Sequence, residues 1–318
     1  MNQKASCASK VAIIGAGFVG STSAYALMMA GTASHIALID VKKEKAEGEA
    51  LDLLHCMQFT HAAEITAGDS FELVKGAEVV VVTAGLAQKP GESRDVLLEK
   101  NVLIFKEMIP QIVRYNNNCI ILVVSNPLDI LTYVTLKLSG FPSCRVIGTG
   151  TVLDSARLRY EIGHHFNVSP KDVSAHILGE HGDSEFVWWS RAEIAGVPLQ
   201  KFETYSPELM QQFYEKTKNA AYEIISKKGS TYFAIALVVN KIVRAILLDQ
   251  SRVFTVSSLI ENVYGVSNIC LSLPMVVRKE GCSFHRLNIE LNNEEEKLFQ
   301  ASACKIQELT KKAEKLIS

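Results

Sequence analysis

Along the N-terminal half of the chain, apolar residues come in short unbroken runs rather than alternating with polar ones. VAIIG (11–15), HIALID (35–40), EVVVVTAG (78–85), CIILVVSNP (119–127) and RVIGTG (145–150) are runs of this kind, and EITAG (64–68) is a shorter one. Unbroken Val/Ile runs mark strands covered on both faces, as in a parallel sheet. The segments between them, 20–30, 44–55, 95–115 and 128–138, read as helices. Strands alternating with helices build βαβ units. Past residue 150 the pattern changes. A helix over 151–166 is followed by short strands near 173–178 and 184–189, then by a long helical region over 207–247. Strand-like stretches at 253–259 and 268–278 precede a charged helix at 292–317. The predicted fold is α/β: an N-terminal doubly wound parallel sheet of the Rossmann type over residues 1–148, then an α+β substrate domain over 149–318.

Composition narrows the function classes. Lys and Arg number 33 and Asp and Glu 34, a net charge of −1, so no basic face for nucleic acid or an anionic membrane is expected. The apolar runs are far shorter than the roughly 20 residues a membrane helix needs. The opening MNQKASCASK has no apolar core of a secretory signal. Seven cysteines are scattered with no C-x-x-C pair, which fits reduced thiols in a cytoplasm rather than a disulfide framework or a metal site. The expected partner is a small molecule.

Three glycines, Gly15, Gly17 and Gly20, follow the first strand in the spacing G-x-G-x-x-G. The first permits a tight turn, the second lets the backbone approach a pyrophosphate, and the third lets the following helix pack on the strand. The phosphates then sit at a helix N-terminus, where free N–H groups favour anions. Asp40 closes the second strand 20 residues after Gly20. A carboxylate there accepts hydrogen bonds from ribose hydroxyls and repels a 2′-phosphate, so NAD is expected rather than NADP.

Three further stretches carry chemistry. AGLAQKPGESRDVLLEKN (84–101) is a polar insertion after a buried strand and reads as a lid holding Gln88 and Arg94. GTVLDSARLRY (150–160) places Asp154 and Arg157 on one side of a helix, and ILGEHGDSE (177–185) sets His181 among acids and glycines. Oxidation of a secondary alcohol by hydride transfer needs a base such as His181. Asp154 would orient its ring, Arg157 would hold a substrate carboxylate by two parallel hydrogen bonds, and Arg94 would polarise the carbonyl. Taken singly, each residue also fits a surface charge or a turn.

GAGFVG, LID, AQKPGESR, VSNPLDILTY, GTVLDSARLRY, LGEHGDS and KGSTYFAIA together resemble the L-lactate dehydrogenases of the lactate/malate dehydrogenase family, over essentially the whole chain. The resemblance implies His181 as proton donor and acceptor with Asp154 as its partner. It implies Arg157 on the substrate carboxylate and Arg94 on the ketone. Asn126 is implied at the substrate oxygen and nicotinamide, and Thr231 near the substrate side chain. It assigns Gly15, Gly17, Phe18, Val19, Gly20, Asp40, Gly85 and Asn126 to NAD. Malate dehydrogenases carry an arginine where this chain has Gln88. A neutral amide leaves the second carboxylate of oxaloacetate unpaired but tolerates the methyl of pyruvate, so pyruvate and lactate are the expected substrates. A malate dehydrogenase of this type and a non-catalytic NAD-binding scaffold are the alternatives. The family's usual assembly is a homotetramer, and the implied setting is glycolysis and fermentation. Arg159 matches an arginine by which many bacterial members bind fructose 1,6-bisphosphate between subunits. The matching histidine position holds Ser174, with His176 two residues on, so allosteric activation stays open.

Overall fold

The structure, a computed structural model, describes residues 9–87, 94–283 and 289–318, with only the backbone of Arg94. Its first half runs β1 (Lys10–Ile14), α1 (Phe18–Met29), β2 (His35–Ile39), α2 (Lys43–His55), β3 (Glu64–Gly68), β4 (Val79–Val82), α3 (Arg94–Tyr115), β5 (Ile120–Val123), α4 (Leu128–Ser139) and β6 (Val146–Gly148). The second half runs α5 (Val152–His165), β7 (Val173–Ser174), β8 (Ile177–Leu178), β9 (Phe186–Val187), β10 (Glu193–Ile194) and β11 (Val197–Pro198). It continues through α6 (Pro207–Lys228), α7 (Phe233–Leu247), β12 (Arg252–Ile260), β13 (Ile269–Arg278), β14 (Gly281–Ser283) and α8 (Asn293–Ile317).

The six N-terminal strands form a parallel sheet in the order β6-β5-β4-β1-β2-β3. The order reverses between β1 and β4, and the carboxyl ends of strands at such a point open a crevice for a ligand. Every residue of β4 and β5 is buried, as their unbroken Val/Ile runs require. The antiparallel strands β12, β13 and β14 continue this same sheet beyond β6, where Ser257 pairs with Gly148. The two halves therefore share a nine-stranded sheet and one large apolar core. A smaller core gathers Leu158 and Ile162 of α5 with Ile177, Leu199 and Phe213.

Sequence and structure part at a few places. The predicted helical region 207–247 is two helices. α6 begins on Ser206, whose hydroxyl accepts the Leu209 N–H, and ends on Gly229 at φ +84, a conformation that stops a helix and suits glycine. β7, β10 and β11 are two residues each, too short to show a period. α8 opens with a capping box in which Asn292 accepts the N–H of Glu295, and Glu295 accepts that of Asn292. The buried Glu295 also accepts bonds from Ser190 N–H and Oγ, which ties the C-terminal helix to the segment after β9.

Candidate active site

The glycine turn after β1 forms one wall of a cavity of about 810 Å³. Gly15 has φ +102, and a Cβ on it would lie 2.8 Å from the Ala84 nitrogen. A Cβ on Gly20 would lie 1.8 Å from the Gly15 carbonyl oxygen, so only glycine lets α1 start beneath the turn. At Gly17 a Cβ would meet nothing within 4 Å, which leaves open space at the N-terminus of α1. Asp40 lines the same cavity. One of its oxygens accepts the Ala16 N–H at 2.8 Å and the other the Lys42 N–H at 2.9 Å, so the carboxylate is fixed at the strand end. Gly85, at φ +153, is also in this wall. Phe18 is exposed and stacks on Tyr232 at 5.3 Å, and Val19 is half-buried in the first turn of α1. A bare turn with free N–H groups beside a fixed acid suits a dinucleotide whose pyrophosphate sits on the helix end and whose ribose meets Asp40.

A second cavity, of about 390 Å³, holds Asn126, Asp154, Arg157 and His181. Asp154 and Arg157 lie one helical turn apart on α5. The Arg157 guanidinium donates to one Asp154 oxygen at 2.9 Å, and His181 Nδ1 lies 2.7 Å from the other. Burial opposes ionisation of Asp154, but His181 and then Arg157 outweigh it and hold the carboxyl below its usual range. For His181, burial alone would lower the pKa. The charge and hydrogen bond of Asp154, followed by the charges of Glu185 and Asp129, raise it instead to about 9. With Nδ1 bonded to Asp154, Nε2 is the ring nitrogen left for a substrate.

The turn carrying His181, between β8 and β9, is pinned on several sides. Gly179 exchanges two backbone hydrogen bonds with Ser272 of β13, at 3.0 and 2.9 Å. The backbone N–H of His181 donates to Asp129 of α4 at 2.8 Å, and the Ser257 hydroxyl donates to the other Asp129 oxygen at 2.6 Å. Burial pushes Asp129 up to about 6 despite these donors. The Glu180 carboxylate accepts from Lys305 of α8 at 2.7 Å and from the Ser184 N–H at 3.0 Å. Asn101, fully buried in α3, accepts the Leu86 N–H at 2.8 Å and donates to the carbonyls of Leu86 and Asn126 at 3.2 and 2.7 Å. It joins the foot of the lid segment to the Asn126–Pro127 turn. Sequence reasoning missed Asp129, Glu180 and Asn101. The acids in NPLD and GEHGD stand beside named candidates, but nothing in sequence shows them buried.

Of the remaining candidates, Gln88 and the Arg94 side chain lie outside the described residues; Arg94 begins α3. Thr231 is half-buried in the link between α6 and α7, outside the lining of either cavity among the described residues. Arg159 donates to the Ala175 carbonyl at 2.8 Å and lies 3.0 Å from His176 Nδ1. Burial, then the Arg159 charge, pushes His176 down to about 4. Ser174 sits in β7 opposite Glu193. It is therefore His176 that meets Arg159.

A dinucleotide crevice and a second cavity holding an Asp–His pair beside an arginine, their walls tied through Asn101, define an NAD-dependent oxidoreductase. The chain belongs to the lactate/malate dehydrogenase family: residues 9–148 match its NAD binding domain and residues 151–317 its alpha/beta C-terminal domain. An L-lactate dehydrogenase of Acetivibrio thermocellus is 49% identical over 95% of this chain and 96% of its own length. One from Clostridium botulinum is 48% identical, covering 90% of this chain and 91% of its own. Among solved structures, the minor L-lactate dehydrogenase of Enterococcus mundtii in a ligands-bound form superposes with a TM-score of 0.92 at 38% identity. The match covers 96% of this chain and 98% of that one.

Proposed function

We propose that the protein is an L-lactate dehydrogenase that reduces pyruvate to (S)-lactate, reversibly, with NADH. Residues 1–148 hold the cofactor and residues 149–318 the substrate. The observation that carries this reading is the Asp154 carboxylate held between the His181 ring at 2.7 Å and the Arg157 guanidinium at 2.9 Å, in the wall of a small cavity. The names of the relatives from A. thermocellus and C. botulinum support it.

Gly15, Gly17, Phe18, Val19, Gly20, Asp40, Gly85 and Asn126 would hold the dinucleotide, which when bound supplies the hydride to the keto carbon. The remaining work falls to side chains of the chain itself. Arg157 spends one N–H on Asp154 and offers the others to the substrate carboxylate as a planar fork. The His181 imidazolium gives its Nε2 proton to the ketone oxygen as that oxygen gains negative charge. Pyruvate, the hydride and this proton sum to lactate, and His181 is left neutral. In reverse, neutral His181 takes the hydroxyl proton of lactate. Asp154 stabilises the charged ring and fixes its tautomer. Arg94, brought in by the lid, polarises the ketone, Asn126 in the cavity wall meets the substrate oxygen and the nicotinamide, and Thr231, in the link between α6 and α7, is assigned to the substrate side chain. Gln88 leaves a second carboxylate without a cation, which penalises oxaloacetate by several kcal/mol.

Among the described residues, no helix is long and apolar enough to cross a membrane. The six described cysteines are free thiols. We place the enzyme in the cytoplasm, in fermentative glycolysis, as a homotetramer. Exposed Tyr25 and Met29 on α1, Leu51 and Leu54 on α2, and Phe233 and Leu237 on α7 supply apolar surface for subunit contacts. A sugar bisphosphate binding at Arg159 would meet a guanidinium already bonded to the Ala175 carbonyl and to His176, and allosteric activation stays open. Steady-state kinetics with NADH test the assignment. A kcat/KM for pyruvate well above that for oxaloacetate is expected, and the opposite order would make the protein a malate dehydrogenase.

A further inference from the structure

The proton relay leaves one buried acid without a task. Glu185 closes the turn that carries His181, and only 6% of its surface is exposed. Its backbone N–H donates to the Gly182 carbonyl at 3.1 Å, and its carbonyl accepts the Tyr214 hydroxyl, so the backbone is held from both sides. The side chain lines the 390 Å³ cavity together with Arg157 and His181. One Glu185 oxygen, one Asp154 oxygen and a His181 ring nitrogen lie within 4.8 Å of one another.

The charged and titratable groups around Glu185 come from several elements. Asp154 and Arg157 face it from α5, His181 from its own turn, and Lys218 and Tyr214 from α6, while Asp183, Glu180, Tyr222 and Asp95 of α3 line the same cavity. Lys305 of α8 lines the cavity but is bonded to Glu180. No hydrogen bond from a described residue reaches the Glu185 carboxylate. Burial, then the neighbouring Asp154 charge, pushes its pKa up to about 8, against the pull of His181, Arg157 and Lys218. A second anion, the carboxylate of a keto acid on Arg157, would enter the same small cavity. Two like charges in a poorly solvated space cannot both persist cheaply.

We propose that Glu185 is a proton-linked substrate-affinity group: neutral, it admits the anionic keto acid beside Arg157, and ionised, it opposes that anion. Substrate binding then takes up a proton on Glu185 in addition to the one that His181 needs. The inference rests on the proposed pyruvate reductase activity. By reciprocity, each proton raises the affinity for the anion as much as the anion raises the affinity for the proton.

The test uses oxamate, a keto-acid analogue that cannot be reduced, with the intact NADH complex. With two groups titrating near pH 8 and 9, oxamate affinity in the parent enzyme falls roughly a thousandfold between about pH 7 and about pH 10, approaching a hundredfold per pH unit at the alkaline end. In Glu185→Gln the fall does not exceed tenfold per unit, while NADH affinity is unchanged. Calorimetry of the parent alone, in two buffers of different ionisation enthalpy, reads the same effect without a variant. Uptake of clearly more than one proton per oxamate at about pH 9.5 is expected. Uptake of one proton or fewer, or parallel pH profiles for parent and variant, would overturn the role of Glu185 and leave the enzyme assignment standing. Failure of oxamate to bind the NADH complex at neutral pH would overturn the assignment itself, and this role with it.

Discussion

Replacing Asp154 by Asn keeps the shape of the side chain and removes its charge. The raised His181 pKa, from an ordinary 6.5 to about 9, corresponds to roughly 3 kcal/mol of preference for the imidazolium. Burial works against that preference, and among the groups that favour it Asp154 comes first, ahead of Glu185 and Asp129. Without the Asp154 charge, the His181 pKa is expected to fall to about 6.5 or lower. At about pH 8 the protonated fraction then drops from about nine-tenths to about one-thirtieth, a loss of roughly 30-fold in the proton donor. Arg157 also loses its charged partner at 2.9 Å, and a loosened clamp on the substrate carboxylate adds roughly tenfold. The expected loss in kcat/KM for pyruvate is therefore roughly 300-fold at about pH 8, or about 3 kcal/mol of transition-state stabilisation. The sign with pH follows from the donor's role. Reduction needs the imidazolium, so parent kcat/KM persists in acid and falls as pH rises through about 8 to 9, where Glu185 and then His181 lose their protons. In Asp154→Asn the fall moves to about pH 6.5, so the deficit shrinks in acid. Steady-state kcat/KM for pyruvate from about pH 5.5 to about pH 10 measures both. An alkaline limb left in place, or a loss under about tenfold at pH 8, would refute the argument that Asp154 holds the proton on His181.

Two further substitutions probe the frame around this pair. Asn101→Ala removes the three hydrogen bonds that tie Leu86 and Asn126 to α3, at about 1 kcal/mol each or about 3 kcal/mol together. Thermal unfolding should show a Tm several degrees lower, with a raised KM for pyruvate, and an unchanged Tm would mean that these bonds contribute little. Gln88→Arg should raise kcat/KM for oxaloacetate by roughly 10²-fold or more and lower that for pyruvate. A variant that keeps the parent preference would show that Gln88 does not read the substrate side chain.

The parallel half of the sheet was legible because burial on both faces leaves a simple trace. EITAG matches β3 residue for residue, and the run EVVVVTAG contains β4. The break at Gly229 leaves no distinct mark within 207–247, since a single glycine is also tolerated inside a helical pattern. Strands of two residues leave no period to find. In the second cavity, the spacing of Asp154 and Arg157 on one helix face could be read directly. The meeting of Asp154 with His181, 27 residues away, follows from the chemistry of hydride transfer and from the resemblance rather than from any local pattern, because the turn after β8 is placed by β13 and α4. Asp129 and Glu185 were out of reach for a related reason. A carboxylate in a turn motif looks solvated until the packing of α4, α6 and β12 shows that it is not.

The central claim is that His181 exchanges the proton while separate residues hold the cofactor, and His181→Asn tests it in one preparation. NADH binding, followed by fluorescence, should be close to that of the parent. The decay of NADH absorbance with pyruvate should be lost at every pH. Turnover that survives the substitution, or NADH binding that disappears with it, would contradict the account.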